Sequence, residues 1–250
     1  MSDDVESIIV EFFKDLELLG PADSESTSRA LALIPLTSDA VVVDAGCGTG
    51  RQTLQLLQET PATVVATDLH QSMLDRLQQL AAERRVSDRL HIERADMAAL
   101  PFEPGSLDLL WCEGAIYNIG YERGLRAWLP LLRAGGHLCV SESAYFEDNP
   151  PEAVQAFWQA EYPAMTTQSR LEQLARECGY VVLDSFRLPR SAWEAYYGPV
   201  EDRIADLQKA WRDDPERQQV LVAMQNEVDV FRRYGDTYGY VFLVLEKPVG

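Results

Sequence analysis

At 250 residues the chain is long enough for one large α/β domain with a full core, and short for two independent ones. Its 22 basic and 40 acidic residues leave a net charge of −18, which repels phosphate backbones and argues against nucleic acid as a partner. Cys47, Cys112, Cys139 and Cys178, with His70, His91 and His137, show no metal-ligand or Cys-x-x-Cys spacing, so no metal is expected. Asp3, Asp4 and Glu6 open the chain in a manner opposite to a signal peptide, and no apolar run reaches the ~20 residues that span a bilayer. A cytoplasmic protein with no membrane partner is expected.

Taken in order, the stretch from about Glu6 to Leu19 places Ile9, Phe12, Phe13 and Leu16 on one helical face, and Gly20-Pro21 stops it. Ser24 or Ser26 can cap a second helix that carries Leu31, Leu33 and Ile34 and ends at Pro35. Val41-Val42-Val43-Asp44-Ala45 then reads as a buried strand. It runs into Gly46-Cys47-Gly48-Thr49-Gly50, where glycine at alternate positions allows a sharp turn and a close approach of backbone N–H groups to a ligand. A helix from Arg51 points its N-terminus at the same place. The loop is not a dinucleotide fingerprint, because Arg51 stands where that pattern needs its third glycine.

Thr63 to Asp68 is a second strand, and its terminal carboxylate lies 18 residues beyond Gly50. An acid at that place can accept hydrogen bonds from both hydroxyls of a ribose, and it can also cap the next helix. Gln71 to Glu83 shows a helical stripe, with Arg84, Arg85 and Arg89 at its end read as structural. Leu90 to Ala95 alternates like an edge strand and leads into Asp96-Met97. Ser106 to Cys112 is the next strand. The loop Glu113-Gly114-Ala115-Ile116-Tyr117-Asn118 leaves its carboxyl end at the expected topological switch point, where open α/β sheets bind ligands. Glu113 and Tyr117 are therefore candidates for direct chemistry, while a loop anchor, a core aromatic and, for Asn118, a turn residue are equally good readings.

Leu125 to Leu132 reads as a helix kinked by Pro130. Gly135-Gly136 then enters a fifth strand, with Glu142, Ser143 and Tyr145 placed after its carboxyl end. Helices follow over Glu152 to Tyr162 and Ser169 to Cys178, then a strand over Tyr180 to Leu188. An insertion of two helices breaks at Asp213-Asp214-Pro215, and the aromatic run Ser191 to Pro199 precedes it. The last strand, Tyr240 to Leu245, is apolar throughout and so belongs inside the sheet.

The order Asp44-x-Gly46-x-Gly48-x-Gly50 resembles the first motif of class I methyltransferases that use S-adenosylmethionine (SAM). Trp111 to Gly120 and Tyr238 to Phe242 are similar to a bacterial small-molecule group related to quinone-biosynthesis and nodulation-factor methyltransferases. The resemblance implies an α/β, Rossmann-like sheet of seven strands with the last antiparallel, in one domain over residues 1–250. Residues 1–38 would form a helical cap, 39–146 the SAM-binding core, and 190–237 a helical insertion near the substrate side. It implies that Asp44, Gly46, Cys47, Gly48 and Gly50 receive the amino-acid end and ribose, that Asp68 grips the ribose, and that Asp96, Met97 and Leu69 hold adenine. Glu113 would touch cofactor or act as base with Tyr117. The implied reaction is in-line methyl transfer to a small molecule, and a homodimer is left open. A SAM-binding regulatory or scaffold protein without turnover is the alternative.

Overall fold

The computed structural model describes residues 3–14, 16 and 18–250. They divide into two compact units, each treated by itself: a sheet unit of Ser24–Ala144, Thr166–Arg187 and Tyr240–Gly250, and a helical unit of the described residues up to Asp23, Tyr145–Met165 and Leu188–Gly239.

The strands are β1 (Val41–Ala45), β2 (Thr63–Asp68), β3 (Leu90–Arg94), β4 (Leu107–Cys112), β5 (Leu132–Tyr145), the two-residue β6 (Thr166–Thr167), β7 (Val181–Arg187) and β8 (Tyr238–Glu246). They order as β3-β2-β1-β4-β5-β8-β7, with β6 paired to β5 beside that path. The pairs from β3 to β5 are parallel, and β8 runs antiparallel to β7. The expected Rossmann-like arrangement of seven strands is borne out, with the last strand slotted between β5 and β7. An unbroken apolar strand is stable only where both faces are covered, and β8 is buried from Tyr238 to Leu245. The alternating β3 lies at the edge, as its pattern requires.

The sheet unit also holds α2 (Ser24–Leu31), α3 (Arg51–Glu59), α4 (Gln71–Glu83), α5 (Tyr121–Trp128) and α7 (Gln168–Glu177). Helix α5 is not kinked at Pro130; it ends at Trp128, since proline has no N–H with which to continue the ladder. Arg89 is structural: its guanidinium donates to the carbonyls of Leu57, Thr60 and Ala62 around the end of α3.

In the helical unit are α1 (Asp3–Phe13), α6 (Glu152–Glu161), α8 (Arg190–Ala210) and α9 (Pro215–Tyr234). Helix α1 stops at Phe13 rather than near Leu19, and Arg203 of α8 donates to the carbonyls of Glu11 and Phe12 at that end, each at 3.1 Å. Of the expected helix, Asp15 and Glu17 lie outside the described residues. The aromatic run does not precede the insertion helices; it forms the first half of α8. That helix passes through Pro199 because a buried stripe of Trp193, Tyr196, Tyr197, Val200, Ile204 and Leu207 holds it, and packing outweighs the missing hydrogen bond. Trp193 stacks on Phe231 of α9 with ring centroids 5.2 Å apart.

Phe242 of β8 is fully buried, stacked on Phe186 at 5.3 Å and set edge-on to Trp111 at 5.6 Å. Phe242→Ala is expected to cost about 3–5 kcal/mol in urea unfolding; a loss under about 1 kcal/mol would mean that β8 is not central to the core.

Candidate functional site

Asp44 sits in register between Ala66 of β2 and Trp111 of β4, so β1 leaves the sheet where its neighbours on the two sides connect in opposite directions. Beyond Ala45 the N–H groups of Gly46 and Cys47 both donate to the Thr67 carbonyl at 2.9 Å, and Gly50 donates to Cys47 at 2.9 Å. Gly46 has φ +71°, and a Cβ there would overlap Met97 Cε and come within 2.8 Å of Ala115 Cβ. Gly50, at φ +84°, begins α3 without any side-chain cap. The first N–H groups of that helix therefore lack an internal acceptor, and its positive end lies against the loop.

Four carboxylates surround this turn in different states. Asp44 is 2% exposed, and its Oδ2 accepts the Thr53 hydroxyl at 2.5 Å. Burial, with Glu113 and Asp68 nearby, pushes its pKa up to about 7. The expectation that Asp44 faces a ligand thus meets a buried carboxyl that anchors α3 under the loop. Asp68 accepts from Gly48 N–H at 3.0 Å with one oxygen and from His70 N–H at 2.9 Å with the other. It joins the loop to the start of α4 and keeps lone pairs for a ligand. Asp96 is exposed, accepts Ala98 N–H at 2.8 Å and so uses one oxygen to cap the short turn Met97–Ala99. Leu69 is 52% exposed while Met97 is buried against Gly46. The Cys47 thiol, buried among these acids, is pushed up and stays protonated.

Glu113 is the hub. Its Oε1 accepts Thr27 of α2 at 2.9 Å and the Trp111 indole at 2.8 Å, and Oε2 accepts Gln52 of α3 at 3.4 Å. Desolvation raises its pKa to about 7 against the pull of those donors. The next residue, Gly114, donates to Ser141 at 2.8 Å. Tyr117 is 44% exposed on the turn Ile116–Asn118, which removes the core-packing reading, and Asn118 donates to Ala115 as a turn residue. Glu142 and Ser143 do not follow β5; they lie within it, buried. Thr27, Gln52, Thr53 and Ser141 escape sequence reading. Thr53 alone leaves a trace, as a polar residue on the buried face of α3. Among the described residues no group of His, Cys, Asp or Glu is placed to hold a metal, and no helix is long and apolar enough to cross a membrane.

Residues 42–136, the span from β1 into β5, match the profile of the methyltransferase domain family. The chain is similar over 93% of its length to methyltransferase GfsG of Streptomyces halstedii, at 24% identity and 83% of that protein. A 27-O-demethylrifamycin SV methyltransferase of Amycolatopsis mediterranei is 25% identical over 92% of this chain and 85% of its own. In fold it is similar to a SAM-dependent methyltransferase from Geobacter sulfurreducens solved with S-adenosylhomocysteine, with a TM-score of 0.78, 19% identity, and 96% and 97% of the two chains covered.

The sheet unit thus stores an unfavourable buried acid under its glycine loop. An acid whose folded pKa is raised keeps its proton in the fold while the unfolded chain loses it, so stability falls as pH rises from 3.8 to about 7. Asp44→Asn is expected to gain in urea midpoint over the native protein between about pH 5 and about pH 8. A difference that stays constant across that range would contradict the assignment.

Proposed function

We propose that the sheet unit binds SAM across the glycine loop and that the protein uses it to methylate a small molecule. The observation that supports this most is the convergence at one sheet end of an uncapped helix start, a glycine too crowded for a Cβ, and three carboxylates with unused lone pairs. An amino-acid end needs an acceptor for its ammonium and donors for its carboxylate. Glu113 and the first N–H groups of α3 supply them. Asp68 holds the ribose; Asp96 accepts from the adenine amine, with Leu69 and Met97 as apolar walls. Gly46 and Gly48 let backbone come close, Cys47 lends bulk without charge, and Asp44 positions the loop through Thr53. These residues fit the group.

When bound, SAM supplies an electrophilic methyl on a positively charged sulfur, transferred in line to an acceptor lone pair. The protein's part is to orient the acceptor and exclude water. Tyr117, exposed on the turn that follows Glu113, is proposed to touch the acceptor. Kinship with quinone-biosynthesis and nodulation-factor methyltransferases is part of the same proposal. Binding without turnover is the second reading, favoured by the donors that already engage both oxygens of Glu113 and leave it poorly free to act as a base.

Incubation with methyl-labelled SAM and a panel of phenols, enols and amines should move label into an extractable product. Glu113→Gln is expected to weaken SAM binding roughly tenfold, and Tyr117→Phe to lower kcat/KM for the acceptor. If both variants keep full turnover with SAM affinity intact, the roles given to these two residues are wrong.

A further inference from the structure

A pocket of about 290 Å³ opens within the sheet unit, between the second half of α2 with the turn after it and the end of α3. It is separate from the glycine loop: Glu59 is the last residue of α3, about 12 Å along the helix from the loop. Leu31, Ile34, Leu36 and Pro61 give the pocket an apolar wall, and Ser28, Glu59 and Thr60 are its polar side chains. The two hydroxyl protons are already spent. Ser28 donates to Glu59 Oε1 at 2.8 Å and Thr60 to the Leu56 carbonyl at 2.7 Å. Gln55 of α3 donates to the Ser28 oxygen at 2.9 Å and to the same Glu59 oxygen at 2.8 Å, so the carboxylate is held from two helices. Its Oε2 has no hydrogen-bond partner, and Glu59 no ion pair, among the described residues.

We propose that this pocket binds a small aliphatic amine in its protonated form, with the ammonium on Glu59 and the hydrocarbon body on Leu31, Ile34, Leu36 and Pro61. Side chains with only lone pairs left select a ligand that donates hydrogen bonds. A hydroxyl donates one; an ammonium donates several and adds charge to each, and no protein cation competes with it for the carboxylate. An anion is repelled by Glu59 and by a net charge of −18. The position also favours a cation, since Glu59 stands at the C-terminal, negative end of α3. Arg89, the cation that donates to carbonyls around that helix end, is held on Leu57, Thr60 and Ala62 rather than on Glu59. The volume lies at the lower end of small-molecule pockets, which limits the ligand to about ten non-hydrogen atoms. None of these residues belongs to the proposed SAM site, so the amine site stands or falls apart from the methyltransferase reading.

The test is an NMR titration of the full chain with cyclohexylammonium and with cyclohexanol, two bodies of the same shape that differ in charge. It compares the native protein with Glu59→Gln, an exposed substitution that keeps an oxygen for Ser28 and Gln55. Native protein is expected to bind cyclohexylammonium saturably, with a Kd of about 1 mM. Amide shifts should centre on residues 28–36 and 55–62. In Glu59→Gln the affinity should fall about two- to fivefold, to that of cyclohexanol, whose own binding is equal in both proteins. Raising sodium chloride to about 0.5 M should weaken cyclohexylammonium and not cyclohexanol, because the charge pair is partly solvated. The proposal is overturned if cyclohexylammonium fails to saturate, binds Glu59→Gln as tightly as the native protein, or moves amides elsewhere in the chain instead. Equal affinity of the native protein for the two probes, or a cyclohexylammonium affinity indifferent to salt, overturns it as well.

Discussion

A carboxylate without solvent fixes the geometry on which the rest of the sheet unit depends. Asp44 lies in the buried part of β1, one residue before its end, and its bond to Thr53 brings the first turn of α3 against the strand it has just left. The chain has five residues in which to reverse between them, and only glycine at positive φ can do so with Met97, Ala115 and Leu77 packed against the turn. Burying the acid is costly, as its raised pKa records, and the cost is borne because the bond sets where the backbone N–H groups point.

From that turn hydrogen bonds carry the contacts further, beside the apolar packing of Met97, Ala115 and Leu77. Asp68 ties the loop to the start of α4, and Glu113 ties β4 to α2 and α3. Acids that each accept from protein donors while keeping lone pairs are suited to a ligand rich in hydroxyls and amines. Among the described residues an indole, a hydroxyl and an amide hold Glu113, while Arg51 acts on it only electrostatically. Its hydrogen-bond partners are therefore neutral, which suits the ammonium of the proposed ligand.

Local pattern made the sheet unit legible in the sequence. The apolar run of β8, the alternation of β3, the span of α4 and the placing of Asp68 at a strand end are read from residues within one element, where period and flanking turns carry the signal. What sequence could not supply is long-range pairing. Thr27 meets Glu113 across 86 residues, and neither residue type is unusual in its own segment. Pro199 misleads in the other direction, since a proline normally breaks a helix and here the buried aromatic stripe of α8 overrides it. The state of Asp44 was hidden for a related reason: a motif says which acid stands at the turn, and only packing says whether water reaches it.

Calorimetric titration with SAM and S-adenosylhomocysteine, on the native protein and on Asp68→Ala with its fold checked by circular dichroism, tests the central claim most directly. The account predicts saturable binding of both ligands at one site and its loss in the variant. Folded native protein that binds neither ligand, or a variant that binds both unchanged, would contradict it.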